Sequence, residues 1–283
     1  MSTVQRKKSY RGHPISLILR ILVSVAAATT VGILIVLVGY IVIRGIPNLT
    51  PELFAWEYNS ENVSMMPAII NTVTVTVLSL LVAVPIGVFS AIYLVEYAKR
   101  GNKLVKVVRL TTETLSGIPS IVYGLFGYLI FNLAFGWGYS IMAGVLTLAI
   151  MILPLIMRTT EEALKSVSDS YREGSFGLGA GRLRTVFQII LPSAVPGIFA
   201  GIILAIGRIV GETAALIYTT GTVAGVPENL LSSGRTLSVH MYALFNEGLY
   251  TEQAYATAFV LLVMVVGINT LSGIIARKVG TNG

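Results

Sequence analysis

The sequence predicts an all-α integral membrane protein that crosses the bilayer about six times. Of its 283 residues, 54% are hydrophobic and only 12% are charged, whereas a soluble domain carries roughly 25% charged residues. Six apolar runs are each long enough for a spanning helix, which needs about 20 residues because its backbone must satisfy its own hydrogen bonds in lipid. Six crossings also place 17 of the 20 lysines and arginines on one face of the membrane.

The six expected spans follow one another with short or polar connections. They are Leu17–Ile43, Ile69–Val95, Leu115–Phe135, Tyr139–Met157, Ala194–Tyr218 and Ala254–Ala276. The first apolar run is far longer than the roughly 7–15 apolar residues of a secretory signal, so we expect an uncleaved span. The third and fourth spans are separated only by a turn around Gly136–Gly138, which predicts a tight hairpin.

The basic residues orient the chain in the membrane. They cluster before the first span, between spans two and three, between spans four and five, and after span six, whereas the opposite loops hold only Arg44 and Arg235. Because cytoplasmic loops carry the excess of lysine and arginine, both termini are predicted to be cytoplasmic. We expect residues 1–68 to form a basic leader, the first span and an external loop, and residues 69–283 to form the main transmembrane domain.

Several chemistries are excluded by composition. The chain has no cysteine, and its two histidines, His13 and His240, are too far apart in sequence to suggest a metal site. The net charge of +7 reflects the cytoplasmic anchors and does not indicate nucleic acid. No expected span contains histidine, cysteine or aspartate, so an intramembrane enzyme is disfavoured. We expect a chain that is not an enzyme and binds neither metal nor cofactor.

The external loop between spans five and six, about Thr219–Gln253, is predicted to contain a short interfacial helix. Its apolar residues recur at helical spacing and are followed by Gly248 as a plausible end. They are Leu237, Met241, Leu244 and Phe245. We interpret His240 in this loop as an ordinary surface or cap residue.

Two opposite charges lie inside the fifth expected span. Arg208 and Glu212 are spaced i, i+4, which predicts that they share one helix face. Each charge costs roughly 2.5–3.5 kcal/mol at a membrane centre, so an intramembrane pair is a functional hypothesis by default. We expect an anion path lined by Arg208, Glu212, Thr213, Asn71 and Ser120; the alternative is a structural pair that holds helices together.

The cytoplasmic loop at 158–192 is predicted to form a helix-turn-helix. Ser168 or Asp169 can cap a first helix, and glycines at 177, 179 and 181 then force a bend. Its spacing resembles the EAA signature of ABC importer permeases, in which glycine follows glutamate after five residues and Ile-x-Leu-Pro follows later. The matching residues are Glu173, Gly179, Ile189, Leu191 and Pro192, with Gly174 and Ser175 replacing the two alanines.

Four further stretches resemble the PstA-type permeases of phosphate ABC importers. They are 116–127, Gly207-Arg-Ile-Val-Gly-Glu-Thr-Ala-Ala215, Gly234-Arg-Thr-Leu-Ser-Val-His240 and 253–258. The resemblance covers most of the chain from about Asn71 onward. The Gly-Arg-x-x-Gly-Glu-Thr stretch also occurs in the sister permease PstC, but the segment after Gly234 and the chain length favour the PstA type.

The resemblance implies a type I ABC importer permease fold and import of inorganic phosphate across a prokaryotic cytoplasmic (inner) membrane. It implies a PstC-like sister permease, a PstB-like ATPase dimer that uses ATP and Mg, a PstS-like phosphate-binding protein, and surrounding lipid. The chain has no phosphate-binding loop of its own, which agrees with a separate ATPase. In this family the 158–192 loop couples to the ATPase. A permease for sulfate, molybdate or an organic solute and an autonomous channel remain alternatives.

Overall fold

The computed structural model describes residues 14–99 and 101–281, and within that part it contains helices and no strand. The basic residues Arg6, Lys7, Lys8, Arg11 and Arg100 of the predicted cytoplasmic face, and His13, lie outside the described residues. Eleven α-helices occur in this part of the chain: α1 (Pro14–Gly45), α2 (Met66–Ile92), α3 (Lys103–Ser116), α4 (Ser120–Gly127), α5 (Ile141–Ser166), α6 (Asp169–Gly177), α7 (Arg182–Thr185), α8 (Leu191–Val210), α9 (Ala214–Thr219), α10 (Leu237–Glu247) and α11 (Thr251–Thr281).

The predicted number of about six spans is confirmed. Within the described residues, five helical segments are long and apolar enough to cross a bilayer alone, and α3 with α4 forms a sixth candidate that is bent by 104°. Short π-helical stretches prolong α2 and α4 and join α7 to α8; they are Tyr93–Tyr97, Tyr128–Ala134 and Val186–Ile190.

The third span differs from the straight helix that we expected over Leu115–Phe135. The helix breaks between Ser116 and Ser120, and the apolar part that follows is Ser120–Ala134. Pro119 causes the break, because proline lacks a backbone N–H and disfavours the helical conformation of the residue before it. The preceding helix α3 therefore turns away from α4 and is tied to α5 by the Arg109–Glu161 ion pair at 2.8 Å.

The fourth and fifth spans extend further into the cytoplasmic loop than expected. Helix α5 continues to Ser166 instead of ending near Met157, with its added turns supported by the i, i+4 ion pairs Arg158–Glu162 and Lys165–Glu161. The fifth segment begins at Arg182 and ends at Val210, not at Tyr218. The two helices that flank the loop are thus longer on the loop side than the sequence predicted.

Helix α5 is the centre of the fold. It packs between α2 and α8, and its side chains Leu148, Met151, Ile152 and Ile156 are almost completely buried. Ser79 of α2 donates a hydrogen bond to the Val145 carbonyl of α5 at 3.1 Å, which fixes the register of the two helices. Helix α1 packs against α11 at the periphery, and most of its apolar surface is exposed in the isolated chain.

The short external helix is confirmed as α10, and it ends where Gly248 adopts the left-handed conformation at φ 72°. Leu237 and Leu244 of the predicted apolar stripe are fully buried. The interpretation of His240 as a surface residue is wrong, because its side chain is also fully buried. Residues of the external segment between α1 and α2 cover this helix, among them Tyr58 and Val63.

Helix α9 lies unusually close to α4 at one glycine. A Cβ on Gly124 would lie 2.7 Å from the Cα atom and 3.1 Å from the carbonyl oxygen of Ala215. Both are backbone atoms that cannot rotate away. Only glycine therefore allows the two broken spans to meet at this distance.

We predict that Gly124→Ala destabilises the assembled protein by about 1–3 kcal/mol, the usual range for forcing an extra methyl group into a packed interior. Gly32→Ala is the matched control, since a Cβ there meets no atom within 4 Å. The measurement is the thermal midpoint of the purified complex. Equal midpoints for the two variants would show that the α4–α9 contact is looser than described.

Candidate functional site

The first candidate site is the interruption of the fifth span. Helix α8 ends at Val210, the residues Gly211, Glu212 and Thr213 are not helical, and α9 begins at Ala214. Buried backbone that is not helical is tolerated only where protein groups or water satisfy its hydrogen bonds. The groups around this break therefore decide what the site can bind.

The expected ion pair between Arg208 and Glu212 does not form. The helix ends two residues before Glu212, so the i, i+4 geometry is lost. The Glu212 carboxylate instead accepts a hydrogen bond from the backbone N–H of Ala215 at 3.0 Å and caps α9. The Glu212 carbonyl oxygen accepts a second hydrogen bond, from Ser238 Oγ of α10 at 2.5 Å. Glu212 therefore holds the break together.

This arrangement leaves the Arg208 guanidinium without Glu212 as a counter-ion. Its side chain is half-buried in the last turn of α8 and forms no ion pair or hydrogen bond with another residue of the described chain. The C-terminal end of a helix carries a partial negative charge that favours a cation there. Tyr123 of α4 lies within electrostatic range of the guanidinium. The site thus presents an unpaired cation between two broken helices.

The other residues expected along the path occupy different positions. Thr213 is half-buried beside the break, and Ser120 is half-buried at the start of α4. Asn71 is buried and its amide donates to the carbonyl oxygens of Gly225 and Arg235, each at 3.1 Å. Arg208, Glu212 and Thr213 therefore lie at or next to the break. Asn71 instead joins α2 to the loop between α9 and α10 through its two hydrogen bonds. Their roles in translocation stay predictions.

Sequence reasoning missed a second buried cation, Arg235. Its side chain is only 4% exposed, and its guanidinium carbon lies 4.8 Å from the ring centroid of Tyr58. The sequence offered one signal, the stretch from Gly234 to His240, which we used only as a family resemblance. Burial of this arginine depends on contacts between distant segments, which neither periodicity nor composition reveals.

The second candidate site is the cytoplasmic helix-turn-helix, which is confirmed. Ser168 Oγ caps α6 by accepting from the Ser170 N–H, and Gly179 makes the turn at φ 81°. Ser175, at an alanine position of the EAA signature, is buried and hydrogen-bonded to Thr185 of α7 at 2.8 Å between hydroxyl oxygens. Glu173 and Gly174 are exposed. The serine is thus accommodated by a hydrogen bond that alanine could not make.

The remaining signature residues belong to the segment that follows the turn. Ile189 is half-buried in the π-helical stretch, and Leu191 and Pro192 begin α8. Pro192 closely follows the π-helical stretch within the continuous segment Arg182–Val210, and a local departure from regular α-helical bonding is where a helix tolerates proline. These three residues therefore position the helix behind the loop and do not form the loop's tip.

The base of α6 is tied to α2 and α5 by a mostly buried ion pair. Arg172 Nη2 lies 2.7 Å from Glu96 Oε1, and the guanidinium also donates to the carbonyl oxygens of Leu164 and Val167, both at 2.9 Å. The hydrogen bond that Arg172 donates to Glu96 is the main cause that raises the pKa of Arg172, ahead of the opposing effect of burial. The loop is therefore attached firmly to the membrane helices.

The tip of the loop carries large apolar side chains that nothing covers in the isolated chain. Leu178 at the turn is 91% exposed, and the neighbouring apolar residues are also exposed; these are Tyr171, Phe176 and Leu183. Clustered exposed apolar residues on a polar loop mark a protein interaction surface. The second site is thus a docking knob on the face that the basic residues predict to be cytoplasmic.

A bundle of membrane-spanning helices with an unpaired arginine at a helix break and a rigid loop with an exposed apolar tip has the features of a permease that docks on a partner protein. Residues 83–281 match the family described as "Binding-protein-dependent transport system inner membrane component". The chain belongs to this family and is an ABC importer permease subunit. Such permeases work with an ATPase and a substrate-binding protein.

Among curated relatives, the chain is 33% identical to the probable ABC transporter permease protein YqgI of Bacillus subtilis, over 90% of this chain and 91% of that protein. It is 34% identical to the phosphate transport system permease protein PstA 2 of Mycobacterium bovis, over 80% and 76% of the two chains.

Solved structures of ABC importers share the fold. A bacterial transporter involved in the import of the acidic polysaccharide alginate matches with a TM-score of 0.68 and 17% identity, covering 91% of this chain and 95% of that one. A MetNI methionine transporter in an inward-facing conformation matches with a TM-score of 0.58 and 20% identity, covering 75% and 93%. The expected type I ABC importer permease fold is therefore confirmed.

We predict that Arg172→Ala destabilises the assembled protein by about 3 kcal/mol, because it leaves Glu96 buried without a partner. Asp169→Ala is the control: Asp169 also contacts Arg172, at 3.1 Å, but its side chain is 80% exposed. Thermal midpoints of the two variants provide the measurement. If Asp169→Ala is as damaging as Arg172→Ala, the Glu96 contact is not what anchors α6.

Proposed function

We propose that this permease subunit translocates inorganic phosphate into the cytoplasm, driven by ATP hydrolysis on a separate subunit. The observation that carries the proposal is Arg208, a guanidinium without a partner in the described chain, placed at the interruption of a membrane helix. An intramembrane ionisable residue of this kind marks a substrate path by default. The relatives that are named as phosphate transport permeases support phosphate as the substrate.

The chemistry of the guanidinium suits a tetrahedral oxyanion. Its planar fork donates two parallel hydrogen bonds to one anion, and its charge persists at every physiological pH. Glu212 lowers the net positive charge of the site, because its carboxylate, which caps α9, is only four residues from Arg208 in the sequence. A transporter must release its cargo, so a cation with a carboxylate nearby suits transit better than a lone arginine.

The cytoplasmic knob supplies the coupling to ATP hydrolysis. In our proposal an ATPase dimer, which binds ATP and Mg, receives the exposed tip of the loop around Leu178 in a surface groove. Its closure moves α6 as a rigid body, since Arg172 and Ser175 tie α6 to Glu96 and Thr185. The movement passes into α2, α5 and α8, and the helices rock between inward-open and outward-open states.

The remaining partners follow from the same proposal. A PstC-like sister permease completes the translocation path, and a PstS-like binding protein delivers phosphate to the external loops. The membrane is the cytoplasmic membrane of a prokaryote, with both termini inside. The apolar face of α1 that is exposed in the isolated chain is covered by lipid or by the sister permease.

Sulfate and molybdate are the main alternative substrates, because they are tetrahedral oxyanions too and a single arginine does not discriminate among the three. An autonomous anion channel is disfavoured by the exposed apolar tip of the cytoplasmic loop, which a channel would not need.

We predict that Arg208→Gln lowers phosphate uptake by about 100-fold, the loss expected from one or two charge-assisted hydrogen bonds. The measurement is uptake of labelled phosphate, and separately of sulfate and molybdate, in cells that lack this chain and receive the wild type or the variant. The complex should still assemble, because Arg208 makes no ion pair within the described chain. Loss of the complex would favour a structural role, and uptake of sulfate alone would refute phosphate as the substrate.

We predict that Leu178→Ser reduces co-purification of the ATPase by about tenfold, since a buried leucine side chain contributes roughly 1.5–3 kcal/mol. Leu249→Ser is the matched control, because Leu249 is 81% exposed but lies on the external side. The measurement is the ratio of ATPase to permease after purification. Equal losses for both variants would place the ATPase contact elsewhere.

A further inference from the structure

We propose that Arg235 is an external binding residue for the same oxyanion, occluded beneath Tyr58 in this structure and exposed when the external side opens. This inference rests on the proposed function, because it assigns a second position to the anion that the importer carries. Arg235 precedes α10 on the side of the membrane opposite the coupling loop. It would receive the anion before the anion reaches Arg208.

Arg235 is buried without a counter-ion. Its side chain is 4% exposed, and its Nε and Nη2 atoms are inaccessible and have no hydrogen-bond partner in the described chain. No carboxylate of the described chain forms an ion pair with it. A buried charge is normally paired or hydrogen-bonded, because its desolvation is costly otherwise. Unused guanidinium donors at a transporter's external side point to an anionic ligand.

The groups that surround the guanidinium compensate only part of its charge. The face of the Tyr58 ring contacts it, and a cation–π interaction offsets a fraction of the desolvation. His240 stands edge-on to the same ring, with 6.2 Å between ring centroids. Burial lowers the pKa of His240 to about 3, and the charge of Arg235 acts in the same direction, whereas a backbone contact with Val63 opposes it. His240 is therefore neutral and adds no charge.

The segment that covers Arg235 is strained. Val63 has φ 45°, a conformation that a β-branched residue rarely adopts, although its side chain is completely buried. Tyr250 holds the same segment from α11's side by donating a hydrogen bond to the Ser60 carbonyl at 3.0 Å. Strain of this kind persists only where surrounding contacts impose it, and it collects at ligand clamps and switches. Residues 57–64 thus have the character of a lid.

Arg235 is linked directly to the interrupted span. Its carbonyl oxygen accepts from Asn71, and three residues later Ser238 donates to the Glu212 carbonyl. Three residues span at most about 10 Å, so the Arg235 backbone lies within that distance of the contact that Ser238 makes with the break. Movement of the lid would therefore uncover a cation whose segment is hydrogen-bonded to the break that follows Arg208.

The first test uses the absence of native cysteine from this chain, so that labelling is read on this chain alone after the labelled subunits are separated. The assembled importer with Thr236→Cys is reconstituted in nanodiscs and exposed to a membrane-impermeant, negatively charged thiol reagent. Thr236 is buried beside Arg235, so we expect little labelling at rest and rapid labelling when a non-hydrolysable ATP analogue traps the outward-facing state. Equal labelling in both states would overturn the occluded site.

The second test asks whether the anion binds there. Inorganic phosphate should slow the labelling of Thr236→Cys in the trapped state by about tenfold, and Arg235→Gln in the same chain should abolish that protection. Protection that persists without the arginine would overturn the proposal. Sulfate is run in parallel: protection by sulfate alone upholds the external site and refutes phosphate as the substrate. Protection by neither anion, with phosphate uptake intact, refutes the site and leaves the proposed function standing.

The third test separates charge from shape. Normalised to the amount of assembled complex, phosphate uptake should fall about tenfold in Arg235→Gln and recover to within about threefold in Arg235→Lys, which keeps the charge. Arg44→Gln is the control, since Arg44 also lies on the external side and stacks on a tyrosine ring, that of Tyr40, but is exposed. Equal losses with glutamine and lysine, or no loss, would overturn the proposal.

Discussion

Buried backbone that leaves a helix must find hydrogen-bond partners, and the break at Gly211–Thr213 is where this protein meets that constraint. The Glu212 carboxylate caps α9, and the Glu212 carbonyl oxygen is satisfied by Ser238 of α10. The external helix must therefore dock against the break, which brings Arg235 to the same end of the molecule. Because Glu212 is committed to these contacts, Arg208 remains free. The unpaired cation at the break is therefore a consequence of how the break is satisfied.

The half of the molecule that is predicted to be cytoplasmic meets a different constraint, which is that movement of the loop must reach the membrane helices. A loop that moves helices must be rigid where it is attached and complementary to its partner where it docks. The buried Arg172–Glu96 pair and the Ser175–Thr185 hydrogen bond supply the attachment, and the exposed apolar tip around Leu178 supplies the docking surface. Helix α5 and the segment that leads into α8 extend into the loop, and in the proposed function they carry its movement to the core and to the break. One central helix, α5, thus connects both sites.

Apolar run length and the distribution of basic residues were sufficient to predict the helical class, the number of spans and the helix-turn-helix, because these depend on composition and local spacing. The breaks were harder. Pro119 signals one, but Gly211 marks the end of α8 only weakly, because glycine also recurs within the helix at 197, 201 and 207. The break depends as well on Ser238 reaching Glu212 from 26 residues away. For this reason the i, i+4 pair of Arg208 and Glu212 was predicted and is not formed. The burial of His240 and Arg235 likewise depends on Tyr58 and Val63, which the pattern of a single loop cannot reveal.

The central claim is that Arg208 is unpaired so that it can receive an oxyanion. The most direct measurement is a structure of the assembled importer, trapped with an ATP analogue in the presence of inorganic phosphate. Our account predicts phosphate at hydrogen-bond distance from the Arg208 guanidinium, with the Glu212 carboxylate still capping α9. An Arg208 that pairs with Glu212 or with a carboxylate of the sister permease, with phosphate bound elsewhere, would contradict it.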